Sequence, residues 1–280
     1  MWVIKEAMEH PRSSAMYASF FIGCIVVYKT IEARSTGQYD YMLTLAAGLQ
    51  TLAFALLVFD TRSGVGEGLS EKTLWSLFTA HVTRLSTTIW GEGYIPEDNT
   101  SDVFLYQFLE ASGVLLLAFQ LLKLSTLRTF HDVGQGMESW TTFLVMVGVS
   151  MILAWNTKST GHADLFADWS WMFSVWLEAF ALGPQVWLLH VRNKVDESAM
   201  HFAGLTMISG VIFASFWGRT GREWFVRHQD YGENGFFWSI GVAAVIRVLL
   251  CAAYFYLFMR TARGGKGTSN GVELSAEEEL

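Results

Sequence analysis

Residues 168–185 read DWSWMFSVWLEAFALGPQ. Aromatic and aliphatic side chains fall on every side of a helix wound from this stretch, so no water-facing stripe is left. Continued to His190, it gives an apolar run from Trp169 long enough to cross a hydrocarbon core of ~30 Å. Yet the run holds a carboxylate, Glu178, and a proline, Pro184. An acid at such a depth must be protonated or paired with a cation. Glu178 is therefore a functional candidate on physical grounds alone.

Runs of the same kind lie on both sides of it. Ala15–Ile31, Tyr41–Phe59, Val103–Leu124, Trp140–Trp155, His201–Gly218 and Gly235–Met259 bring the candidate spans to seven. The expected fold is all-α, an integral membrane bundle of seven transmembrane helices. Ala15 to Tyr28 has the length of a signal-peptide core, but Glu6 and Glu9 balance Lys5 and Arg12 ahead of it, and no small-residue cleavage site follows directly; we read it as the first membrane helix. Leu69 to Trp90 differs, because Leu74, Leu77, Phe78, Val82 and Leu85 recur at spacings of three and four among polar residues. That pattern predicts an amphipathic helix lying at the interface or against the bundle, within an insertion at about 62–101. Residues 1–263 thus form one membrane domain, and 264–280, GGKGTSNGVELSAEEEL, a polar acidic tail of disorder-like composition.

Composition agrees. Of 280 residues, 52% are hydrophobic and 16% charged, against about a quarter charged in soluble domains. The net charge of −7 offers no basic face for nucleic acid. Cys24 and Cys251 both sit in apolar runs and read as small packed side chains. His81, His131, His162, His190, His201 and His228 lack metal spacing, and solvated or capping roles are expected for them. With no nucleophile motif and no phosphate loop, neither an enzyme nor a cofactor or metal is expected. Trp140, Trp155, Trp169, Trp187, Trp217 and Trp238 lie near span ends, where indoles favour the headgroup level. Seven spans would put the termini on opposite sides. The Lys and Arg residues then divide nine to nine, which leaves orientation open.

Three ionisable residues fall inside spans: Glu110, Glu178 and Arg247. Arg247 is the one base deep in any of the seven, so a Glu178–Arg247 or Glu110–Arg247 pair is expected. Such a pair either serves a ligand or simply pins two helices together.

The order of motifs around Glu178 resembles that of the ER lumen protein-retaining (KDEL) receptor family. Asp168, Trp171, Glu178 and Pro184-Gln185 match its fifth helix. His201-Phe202 and Trp217 follow in the sixth, with Gly235-Phe236-Phe237 and Phe255-Tyr256-Leu257 in the seventh. Thr129-Phe130-His131-Asp132 resembles a loop motif before the fourth. The similarity covers residues 125–260. It implies a fold shared with the SWEET and PQ-loop transporters, in which two parallel three-helix repeats are joined by a linker helix. It assigns ligand-binding positions to Asp168, Trp171, Glu178 and Trp217, with Arg247 as a possible cation, and a helix kink to Pro184 and Gln185. The family's ligand is the C-terminal retrieval peptide of luminal proteins, bound more tightly at acidic pH.

Departures are concentrated in the cations. Where the sixth helix has Tyr-Arg, this chain has Ser209-Gly210, and Phe213 replaces a later tyrosine. For the second helix, with its Arg-Tyr-x-Asp cluster, the stretch GLQTLAFAL at 48–56 offers no charge. On this reading the acids are kept and the arginines lost. Three functions follow as expectations. One is a divergent, non-enzymatic retrieval receptor in ER and Golgi membranes. Another is an accessory subunit of a larger membrane complex, held through residues 69–90 and the tail. The third is a PQ-loop-type small-solute or proton-coupled transporter.

Overall fold

The computed structural model describes residues 11–32, 40–60, 69–90, 100–127, 139–157, 165–192, 197–228 and 234–272. Its helices are α1 (Pro11–Glu32), α2 (Asp40–Asp60), α3 (Glu71–Trp90), α4 (Thr100–Leu127), α5 (Trp140–Thr157), α6 (Leu165–Phe180), α7 (Gly183–Arg192), α8 (Glu197–His228) and α9 (Asn234–Val272). No strand occurs among the described residues. Six segments are long and apolar enough to cross a membrane: Tyr41–Phe59, Phe104–Ser125, Trp140–Thr157, Leu165–Val191, Met200–Arg222 and Phe236–Arg260. The first expected span appears as a shorter apolar helix, Ala15–Ile25, over the part whose side chains are described. The protein is an all-helical, multi-pass membrane bundle.

The helices sort by depth. On α5, Leu144, Ile152 and Trp155 are all more than 60% exposed, as a helix facing lipid on one side should be. By contrast α2 is central, packed on α8 and α4 through Leu49, Ala53, Phe54 and Leu57. The last helix, α9, runs along α8, α6 and α7 and turns Trp238, Leu249 and Tyr256 outward. It continues to Val272, so the start of the expected polar tail is helical backbone, and 273–280 lie outside the described residues.

The amphipathic helix α3 is where the structure departs most from expectation. It packs on α4 and α6, and also touches α5 and α7. Leu74, Leu77 and Ala80 are fully buried, but so are Thr73 and Ser76, with His81, Arg84 and Thr87 nearly so. Its polar face therefore points into the bundle, not at the interface. A helix surrounded by protein needs partners for its polar groups rather than apolar side chains, and hydropathy cannot register that. Its start is built with care. Ser70 Oγ accepts from Thr73 N at 3.2 Å, an N-cap bond, while Ser70 N donates to Gln185 Oε1 at 2.7 Å.

That glutamine sits just past the break between α6 and α7. Ala181 N bonds Glu178 O at 3.3 Å and Val186 N bonds Leu182 O at 3.0 Å, so the chain makes a turn at Ala181-Leu182 and restarts. Pro184 occupies the first turn of α7, where its missing N–H is not needed. The proline thus opens a second helix after a two-residue turn, instead of bending a continuous one.

Candidate functional site

Five buried ionisable side chains meet in the middle of the bundle. Glu178, on α6, receives two arginines. Arg84 Nη1 of α3 donates to its Oε2 at 2.6 Å, and Arg247 Nη1 of α9 lies 2.6 Å from its Oε1. Gln50 Nε2 of α2 adds a bond to Oε1 at 2.7 Å. Glu110 of α4 stands on the far side of Arg84, whose Nε is 3.1 Å from its Oε1, an ion pair by distance whose N–H is not aimed at the oxygen. His81 Nδ1 of α3 approaches Glu110 Oε2 at 2.6 Å. All four side chains in the ion pairs, and His81 with them, are no more than 6% exposed.

Hydrogen bookkeeping fixes the imidazole. A contact of 2.6 Å to a carboxylate needs a hydrogen on His81 Nδ1, so that atom cannot also accept from Arg84 Nη2 at 3.1 Å. With His81 neutral, two arginines balance two glutamates and the cluster carries no net charge. Buried ions are tolerable only in such a paired state.

Arg247 owes its position to a glycine. A Cβ added at Gly210 of α8 would meet Arg247 Nε at 2.8 Å and Cδ at 3.0 Å, so the arginine stem lies in the space a side chain at 210 would enter. Arg247 Nη2 then reaches Thr206 O at 3.2 Å and Gln50 Oε1 at 3.3 Å. Ser209 Oγ donates to Ala46 O at 2.8 Å and ties α8 to α2 beside it.

The other candidate residues form a separate group nearer the start of α6. Trp171 and Trp217 are in edge contact at 5.0 Å, with Phe236 5.9 Å and Phe213 6.5 Å from Trp171. Trp217 is buried, so it belongs to this aromatic cluster and not to the headgroup level where its place near a span end put it. Asp168, also buried, lies one turn before Trp171. Glu178 is seven residues beyond Trp171, about 10 Å along the helix. The structure therefore brings Glu178 to Arg247, and Trp171 to Trp217, at two levels along α6.

Comparison with known proteins reads the same region. The profile of the family described as "ER lumen protein retaining receptor" matches residues 66–219, more than half the chain. The chain belongs to this family. An ER lumen protein-retaining receptor of Saccharomyces cerevisiae is 26% identical over 108 residues, 38% of this chain and 45% of that protein. Another, from Caenorhabditis briggsae, is 27% identical over 117 residues, 42% of this chain and 48% of that protein. The chain thus spans about half the length of the curated relatives it matches.

The match begins at residue 66, beyond the uncharged stretch at 48–56, and the first helix inside it is α3. Glu178 is met by two arginines, Arg84 and Arg247, where the sequence reading offers Arg247 alone. Arg84 escaped notice because α3 was read as lying outside the spans, and His81 because it was read as solvated. The available signal was the i, i+3 placement of His81 and Arg84, one turn apart on one face. On α8, where the sequence has Ser209-Gly210, Arg247 of α9 lays its guanidinium over Gly210.

Proposed function

We propose that this chain is a non-catalytic, receptor-like membrane protein of the ER and Golgi, binding the C-terminal carboxylate of an acidic luminal peptide at Arg84 and Arg247. One observation carries the reading. Two guanidiniums from different helices converge on a single carboxylate, Glu178, at 2.6 Å each, so the protein holds an internal copy of the group it would bind. An incoming carboxylate takes Glu178's place on one arginine, and the buried Asp168, Trp171 and Trp217, nearer the start of α6, would have to part to admit it.

Proton uptake follows from charge balance. A peptide carboxylate adds one negative charge to a neutral buried cluster, and the cheapest compensation is uptake of one proton by one of its carboxylates. Binding linked to one proton tightens about tenfold for each unit of falling pH.

The same reading gives topology. Twenty residues of α3 make about 30 Å of helix, enough to cross beside α4 and α6. With α1 and α3 both crossing and α6–α7 crossing once, the spans number eight. By sequence position, Lys29, Arg34, Lys158, Arg219, Arg222 and Arg227 then fall on one side, Arg84 and Arg247 in the interior, and the other eleven of the 19 Lys and Arg residues on the opposite side. Eleven against six orients both termini to the cytosol. It also turns the start of α6, with Asp168 and Trp171, toward the lumen. Packing supports two three-helix repeats, α2–α3–α4 and α6/α7–α8–α9, with α5 as linker and α1 added in front. The contacts of α2 with α8 and α4 are mirrored by those of α6 with α3 and α9.

A second reading is a structural subunit that has kept the fold and given up the ligand. The closed ion cluster favours it, since three of the four carboxylate oxygens accept a well-placed bond and the fourth faces Arg84 Nε. Docking of a partner through residues 69–90 gains no support, because α3 is spent inside the bundle. The readings separate on purified protein titrated with a peptide ending in Lys-Asp-Glu-Leu. A receptor binds it and loses it in Arg247→Ala. A structural subunit shows no binding at acidic or neutral pH and leaves mild detergent inside a larger complex.

A further inference from the structure

The added helix α1 leaves a gap. It packs chiefly on α2, with the Phe20 ring 3.3 Å from where a Cβ on Gly48 would stand. Away from α2 it stands off α8, and a cavity of about 760 Å³ lies between α1, α2, α8 and α9. Phe20, Leu45, Leu49, Leu205, Ile208 and Phe255 wall it. Phe21 and Ile25 are more than half exposed and Ile208 nearly half, so the cavity opens on the lipid-facing surface. Its volume lies in the range of small-molecule sites, which combine apolar walls with a few placed polar groups.

Those polar groups are here. Tyr17 Oη is hydrogen-bonded to His201 Nδ1 at 2.9 Å, and both line the cavity. No Lys, Arg, Asp or Glu does so among the described residues. We propose that this cavity binds a membrane lipid with a small, neutral, hydroxyl-bearing head, the class that includes sterols and diacylglycerols, its hydroxyl meeting the Tyr17–His201 pair. An empty apolar space of this size inside a bilayer forfeits dispersion contact along its whole wall, and lipid is the solvent at hand. A phosphate head is disfavoured, since none of the described residues lining the site neutralises it. A hydroxyl fits because Tyr17 has one hydrogen, engaged with His201 when that nitrogen is unprotonated, and a free lone pair that accepts from a donor. The site is independent of peptide binding, for neither residue touches the ion cluster.

Photoreactive analogues of a sterol and of a diacylglycerol, each with a free hydroxyl and as its methyl ether, test this on the full chain in membranes. We expect the free-hydroxyl form of at least one lipid to label the cavity faces of α1 and α8. The ether should label them about three- to tenfold less, the span of one hydrogen bond. Tyr17→Phe brings the free-hydroxyl probe down to the ether's level, Ile208→Trp blocks labelling by filling the space, and Tyr41→Phe, at the same cavity but outside the pair, changes nothing. Equal labelling by hydroxyl and ether forms of both lipids would show annular lipid only and overturn the proposal. So would a loss in Tyr41→Phe without one in Tyr17→Phe.

Discussion

Arg84 holds two carboxylates at once, Glu178 at 2.6 Å and Glu110 at 3.1 Å. Removing it takes the guanidinium from Glu110, which keeps His81, and one of two cations from Glu178, in a site with almost no solvent. Arg84→Met is therefore expected to cost roughly 3–5 kcal/mol, read as a lowered melting temperature in detergent. Arg247→Met leaves Glu178 with Arg84 and the Gln50 bond, and adding Glu178→Gln should recover part of its loss, a coupling that a double-mutant cycle measures. Gly210 offers a sharper case. Gly210→Ala forces a methyl to 2.8 Å from Arg247 Nε and is expected to lower stability although it is the smallest possible change. Gly210→Arg alone should be worse, and Gly210→Arg with Arg247→Leu should be better than Gly210→Arg, because the cation then returns to α8 and the space over 210 is vacated. Of this cluster the sequence showed Glu178, Glu110 and Arg247, since an ion inside an apolar run is conspicuous. It hid Arg84 and His81, since a polar residue on a polar-looking helix is not.

At the scale of the element the lesson is α3. Hydropathy reports long apolar runs, and it located six of them, from Tyr41–Phe59 to Phe236–Arg260, among them the central α2. It is silent on a helix packed inside protein, whose His81 and Arg84 are matched by Glu110 and Glu178, far away in sequence. Those partners are visible only once the chain is folded. The start of α3 also depends on a distant residue, Gln185, whose Oε1 takes the buried Ser70 N–H. Gln185→Leu leaves that N–H without a partner and should cost about 1–3 kcal/mol, measured by thermal unfolding, with the ion cluster otherwise intact. The Pro184 break was legible as a kink because proline cannot continue a helix, but the polar contact beside it was not.

For the whole molecule, the proposed eight crossings would place both termini in the cytosol and the start of α6 in the lumen. A glycosylation acceptor introduced at 158–164 should be modified in microsomes, while one at 193–196 should not. Seven crossings with α3 at the surface and the C-terminus in the cytosol leave those two loops in place but move 33–39 to the cytosol, so an acceptor at 33–39, modified only with eight crossings, separates the two. The central claim is that the two arginines hold Glu178 in the stead of a peptide's terminal carboxylate. Its most direct test is a titration of the purified chain with one peptide ending in Lys-Asp-Glu-Leu, as free acid and as C-terminal amide, at acidic and neutral pH. A receptor built this way binds the free acid, more tightly at the acidic pH, and binds the amide at least about tenfold more weakly. Equal affinity for acid and amide, or no binding at either pH, would contradict it and leave the cluster as a device that only holds the bundle together.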